Sequence, residues 1–229
     1  MQNNFKIFTF PLIFTIIVIL VFLLDHIGNF NLYHLGIYPR KFDGLSGILF
    51  SPFIHGDVNH LLSNLTALPF LLIILSITYR KNYFSIFIVL FFLTGLITWI
   101  IARNSYHIGS SGIIYALASF IFFGGIVSNK KGAVALSLLI IILYGGMIWG
   151  ILPTQTHISW ESHFAGGFSG FVSAFMFVSN EKSIEKPEIN YDYKLPGFSK
   201  NGYISSNKYN LINYVYYTNE VDYDYNFKK

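Results

Sequence analysis

Six stretches of this chain carry no Asp, Glu, Lys or Arg and are long enough to cross a bilayer: 7–24, 58–79, 82–102, 104–129, 132–160 and 162–180. A helical span needs roughly 20 mostly apolar residues. The two longest runs have polar ends, so their hydrocarbon parts contract to 108–127 and 132–152. In lipid every backbone N–H and C=O must find a partner inside the protein, which leaves only helices or closed barrels. The apolar residues run continuously instead of alternating, so helices are expected. Of 229 residues, 53% are hydrophobic and 11% charged, where a soluble domain has about 25% charged residues. These figures exclude most soluble enzymes and a chain disordered throughout. No cysteine is present, which excludes disulfides, thiolate metal sites and a cysteine nucleophile.

Lys6 precedes the first run, as in a signal peptide. The run is longer than a signal core, and Asp25, His26 and Ile27 follow where small residues would mark cleavage. It is read as a retained span. Orientation follows from Lys and Arg. With the N-terminus cytoplasmic, the inner side holds Lys6, Arg80, Lys81, Lys130, Lys131 and the seven lysines beyond 180, and the outer side holds Arg40, Lys41 and Arg103. The formal charge of +4 is therefore a topology signal; no basic water-soluble patch offers itself to nucleic acid. The expected fold is all-α with six transmembrane helices. A membrane domain occupies 1–180, and a cytoplasmic tail at 181–229 holds nine of the sixteen tyrosines. The tail is expected to be disordered, with a weak amphipathic stretch at 209–217. The first outer loop, 25–57, is too apolar for a solvated linker and is expected to lie among the headgroups.

Strongly polar groups inside spans are costly and default to functional hypotheses. Three clusters stand out: His55, Asn59, His60 and Asn64; His107, Gly109, Ser110, Ser111 and Gly112; and Ser159, Glu161, Ser162 and His163. They open the second, fourth and sixth spans, so all three fall at one depth on the outer side. His60 and Asn64 share a helix face at i,i+4, as do Ser111 and Tyr115. His163, Gly166 and Gly170 share another, and small residues at such spacing let helices approach closely. A tight contact between spans four and six would bring Ser111 to His163. A serine nucleophile needs a base within about 2.6–3.2 Å of its hydroxyl. His60 and Asn64 could then donate to an oxyanion.

These residues resemble the rhomboid family of intramembrane serine proteases. Gly109-Ser110-Ser111-Gly112 is similar to the family's GxSG, with Tyr115 and Ala116 at the family spacing. His163 through Gly170 is similar to HxxGxxxG, and His55 through Asn64 to HxxxxHxxxN. The likeness covers about residues 1–180, including the six-span order and the long first outer loop. It implies an endopeptidase of a bacterial-type plasma membrane that cuts transmembrane segments of other proteins near the outer face of the lipid bilayer. It implies Ser111 as nucleophile, His163 as general base and then acid, His60 and Asn64 as oxyanion donors, and Tyr115 as the ring supporting the histidine. Gly109 and Gly112 would admit backbone close to the reacting centre, and Gly166 and Gly170 would pack the helices. His55 is read as a brace for the first loop. The family works without a carboxylate or a metal, and Glu161, two residues before His163, is expected to face away from it. The family's Trp-Arg pair is missing from the first loop, and Pro39-Arg40 is no obvious substitute. Two other readings compete with this one. A non-proteolytic binder of transmembrane segments would typically lack the serine or the histidine. A metal-dependent membrane protein using His55, His60 and His163 would want an HExxH or a deep acidic ligand, and neither occurs.

Overall fold

The computed structural model describes residues 5–128, 130–153 and 158–178. The tail at 181–229, with its stretch at 209–217, lies outside the described residues. Among the described residues seven α-helices follow one another: α1 (Phe5–Gly28), a single turn α2 (Gly47–Phe50), α3 (Val58–Thr78), α4 (Tyr83–Ile101), α5 (Ser111–Ser128), α6 (Lys131–Tyr144) and α7 (Trp160–Val178). Five stretches of the described residues are long and apolar enough to cross a membrane: most of α1, then α3, α4, α5, and α6 with its continuation to Ile151. Their apolar surfaces also face outward: Leu12, Ile100 and Ile142 are all exposed, as lipid solvent requires. Helix α7 has the length, 19 residues, but is interrupted by Gly and Ser.

The sequence explains where the helices start and how they pack. Asp57 caps α3, its carboxylate accepting from the His60 N–H at 2.8 Å. Helix α5 lies at the centre, with Ala116, Leu117 and Phe120 fully buried among Leu68, Leu71, Leu72 and Leu75 of α3, Leu90 of α4 and Ala174 of α7. The α5–α7 contact depends on glycine. A Cβ at Gly166 would run into the Gly112 carbonyl oxygen, and one at Gly170 into that of Ala116. Close backbone approach of this kind is how small residues hold membrane helices together. Ser119 adds a hydrogen bond of 2.6 Å to the Gly167 carbonyl.

Two expectations are modified. The fifth run does not stay α-helical to 152: beyond Tyr144 it tightens into a 3₁₀ turn over Gly145–Ile151. Gly145, Gly146 and Gly150 carry the highest helix cost of any residue except proline. Residues 29–57 are also more than a surface layer of headgroup contacts. They fold into short helical turns at Leu32–Leu35, Phe42–Ser46, Gly47–Phe50 and Ser51–Phe53. Ile37 and Ile54 are buried beneath them. Ile37 and His107 exchange backbone hydrogen bonds of 2.9 Å each way, which ties this segment to the strand of chain before α5.

Candidate active site

The chain enters α5 through a bend at Gly109, whose φ of +104 suits only a residue without a Cβ. The Gly109 N–H donates to the Ser51 carbonyl at 2.9 Å, and Ser110 is buried beside it. Ser111 is thereby the first residue of α5, at the positive end of the helix dipole. Helix α7 begins at Trp160, where Ser159 Oγ accepts from the Ser162 N–H at 3.4 Å. The glycine-mediated contact between α5 and α7 then sets one helix start against the other.

Ser111 Oγ lies 2.8 Å from His163 Nε2. On the far side of the ring, Nδ1 lies 2.9 Å from the Gly150 carbonyl oxygen. A carbonyl can only accept, so Nδ1 carries the proton and, in the neutral ring, Nε2 is left as the acceptor facing Ser111. The Tyr115 ring stacks on His163 with centroids 4.2 Å apart and planes 11° apart. The Tyr115 hydroxyl donates to the Met147 carbonyl at 2.6 Å. The imidazole is thus fixed in plane by Tyr115 and in tautomer by Gly150, both anchored to the 3₁₀ turn after α6. Gly150 was not singled out from the sequence, because its contribution is a backbone carbonyl and no residue type announces it.

His60 and Asn64 border Gly109. The position a Cβ would take at Gly109 is 2.5 Å from His60 Nε2 and 3.6 Å from Asn64 Nδ2. Asn64 is buried, and its amide nitrogen lies 2.9 Å from His55 Nε2. Ser110 Oγ approaches the same nitrogen at 3.3 Å, and His55 Nδ1 lies 3.4 Å from the Phe53 carbonyl. The Phe53 carbonyl therefore accepts from Nδ1–H, and Nε2 accepts from both the amide and the hydroxyl. The His55 and His60 rings meet edge-on at 4.9 Å. Burial first, and the neighbouring His60 second, lower the His55 pKa to about 4, so it is neutral at ordinary pH. The expected loop brace therefore also holds one side of Asn64.

Glu161 is turned toward Arg103 and is buried. Its Oε1 lies 3.7 Å from Arg103 Nε and accepts from the Arg103 N–H at 3.3 Å, while Arg103 Nη2 donates to the Ile158 carbonyl at 2.8 Å. His107 is buried. Its Nδ1 lies 2.6 Å from Ser159 Oγ and its Nε2 3.0 Å from the Arg103 carbonyl. Burial lowers its pKa despite that carbonyl. These contacts bind the segment before Ser111 to the start of α7. A histidine two residues before a GxSG was the available signal, but only the fold supplies Ser159 as its partner. His157 lies outside the described residues. Among the described residues no group of three His, Asp or Glu side chains is set to hold a metal ion.

Residues 43–180 match the family model described as the Rhomboid domain. Uncharacterized proteins of Mycobacterium bovis and Mycobacterium tuberculosis are each 29% identical to the chain over 180 residues, covering 75% of this chain and 75% of the relative. An uncharacterized protein of Mycobacterium leprae is 28% identical over 180 residues, 75% of this chain and 71% of the relative.

Proposed function

This chain belongs to the rhomboid family, multi-pass membrane proteins that are generally intramembrane serine proteases, and on that footing we propose that it is an endopeptidase cleaving transmembrane segments by a Ser111–His163 dyad. The observation that carries the reading is the 2.8 Å contact between Ser111 Oγ and His163 Nε2, with Nδ1 held by Gly150 at 2.9 Å. Both termini are cytoplasmic, residues 29–57 form the outer loop, and α1, α3, α4, α5, α6 and α7 make the six-helix bundle. Helices α3, α5 and α7 then all begin on the outer side, which sets the reaction near the outer face. The likeness to bacterial relatives favours a plasma membrane.

The substrate is a transmembrane helix that enters from lipid and unwinds locally, because its carbonyls are otherwise held in its own hydrogen bonds. Ser111 Oγ attacks a carbonyl carbon as its proton passes to His163 Nε2. The negative oxygen is held by His60, Asn64 and the backbone N–H of Ser111. When the tetrahedral species collapses, the C–N bond breaks and the Nε2 proton goes to the leaving amine. Water, deprotonated by His163, then frees the acid and regenerates Ser111. The Gly150 carbonyl does for the imidazole what a carboxylate does in a triad, fixing its tautomer and angle without a formal charge. Gly109, Gly112, Gly166, Gly170, Tyr115 and His55 support this arrangement.

The test is cleavage of a single-span substrate in proteoliposomes, with products located by mass spectrometry. A cut in the outer part of the span is expected, absent from Ser111→Ala and unaffected by chelators. A cut that persists in Ser111→Ala, or one that a chelator abolishes, contradicts the proposed dyad.

A further inference from the structure

The segment running from the end of α4 to Ser111 is gripped at its upstream end by a residue from outside it. Arg40 Nη1 donates to the carbonyls of Ile100 at 3.1 Å and Ala102 at 2.6 Å, and its Nη2 donates to Asn104 Oδ1 at 2.6 Å. The Arg40 N–H donates to the Trp99 carbonyl at 3.1 Å, and Trp99 Nε1 donates back to the Lys41 carbonyl at 2.9 Å. The carbonyls of Ile100, in the last turn of α4, and of Ala102, its C-cap, have no donor left inside the helix. A planar guanidinium can serve three such acceptors at once, where an ammonium is a single point. Arg40 does this at φ 58, a left-handed conformation uncommon for residues with a Cβ. Such a conformation persists where surrounding contacts over-determine it.

The grip continues toward the nucleophile. Ile37 pairs with His107 through two backbone bonds of 2.9 Å, and the Ser51 carbonyl holds the Gly109 N–H at 2.9 Å. Residues 37–51 therefore hold 99–109 at three successive points, and the last lies two residues before Ser111. We propose that Arg40 is a positioning residue: by closing the end of α4 it fixes where 102–110 delivers Gly109 and Ser111 against His60, Asn64 and His163. The role of that site rests on the protease reading above; the placement of the segment does not. Arg40 takes on the loop anchoring that Pro39-Arg40 was not expected to supply.

The test uses full-length protein in detergent, comparing wild type, Arg40→Ala, Arg40→Lys and Trp99→Phe. Two quantities are read per folded molecule: the rate of fluorophosphonate labelling, and amide exchange at residues 102–110. Misplacing a reacting group by about 1 Å can cost on the order of 100-fold in rate. Labelling of Arg40→Ala is expected to slow about tenfold or more. Amides at His107 and Gly109 should exchange about tenfold or more faster, with those of α3 and α7 unchanged. Arg40 is exposed, so millimolar methylguanidinium added to Arg40→Ala should restore both quantities. Arg40→Lys should recover only part, and Trp99→Phe should show a smaller effect of the same kind. Labelling within twofold of wild type overturns the proposal. So does slow labelling with unchanged exchange at His107 and Gly109, or failure of methylguanidinium to restore either quantity. If wild type does not label at all, the protease reading fails, and the exchange data alone decide whether Arg40 positions the segment.

Discussion

His163 Nδ1 and the Gly150 carbonyl oxygen are 2.9 Å apart, on the face of the imidazole opposite Ser111. This pairing gives the His163 imidazole its tautomer without a carboxylate, and it comes from the 3₁₀ turn over Gly145–Ile151. A Cβ at Gly150 would run into the Tyr115 hydroxyl and lie 3.2 Å from His163 Nδ1. Gly150→Ala should therefore disturb both supports of the ring. Fluorophosphonate labelling is expected to fall about tenfold or more, a fraction of the roughly 100-fold that small misplacements can cost. The melting temperature should change little, because the turn is half exposed.

His60 and Asn64 should act on the rate, not on binding. Replacing either by Ala is expected to lower kcat by about 10²–10³ with KM within a few-fold, as for loss of one oxyanion donor. Gly109→Ala should do at least as much, since it opposes φ +104 and drives into His60 Nε2. Steady-state kinetics on a single-span substrate check all three.

The buried, neutral His55 makes stability depend on pH. Its pKa falls from 6.5 in the unfolded chain to about 4 in the fold. The unfolded state therefore binds the proton first as pH drops, and the contribution is fully present above pH 6.5. It is lost as pH falls from there toward about 4, by about 3 kcal/mol in all. Thermal melts across this range should slope downward toward acid, and the slope should shrink in His55→Asn.

Glu161 is expected to matter for folding and not for chemistry. Its carboxylate meets Arg103, and the His163 ring is held by Gly150 and Tyr115 instead. Glu161→Ala leaves Arg103 without that partner and should cost about 1–3 kcal/mol. The labelling rate per folded molecule should stay within about threefold of wild type. A loss as large as that of His163→Ala would make Glu161 a third member of the site.

Which features were legible follows from the kind of interaction involved. Charge-free runs are a bulk property of the solvent around a helix, so the long helices could be read directly from them. Side-chain motifs at fixed spacing were legible too: GxSG placed Ser111 at the start of α5, and the Gly166/Gly170 stripe anticipated the close contact that brings His163 to it. Gly150 and Met147 act through backbone carbonyls, which every residue possesses, so the sequence marks neither. Arg40 and His107 find partners 60 and 52 residues away, Ile100 and Ser159, and only the folded chain brings those together. The span expected at 132–152 is present to Ile151, because apolarity set its length; its tightening beyond Tyr144 was not legible, because Gly145, Gly146 and Gly150 set the geometry there.

Catalysis as proposed requires Ser111 to be a nucleophile activated by His163. The most direct measurement is labelling of the detergent-solubilised protein with a fluorophosphonate, in wild type, Ser111→Ala and His163→Ala. A single adduct on Ser111 is expected in wild type, none in Ser111→Ala, and a rate at least about 100-fold lower in His163→Ala. Labelling that persists in Ser111→Ala, or that is indifferent to loss of His163, would contradict the proposed catalysis.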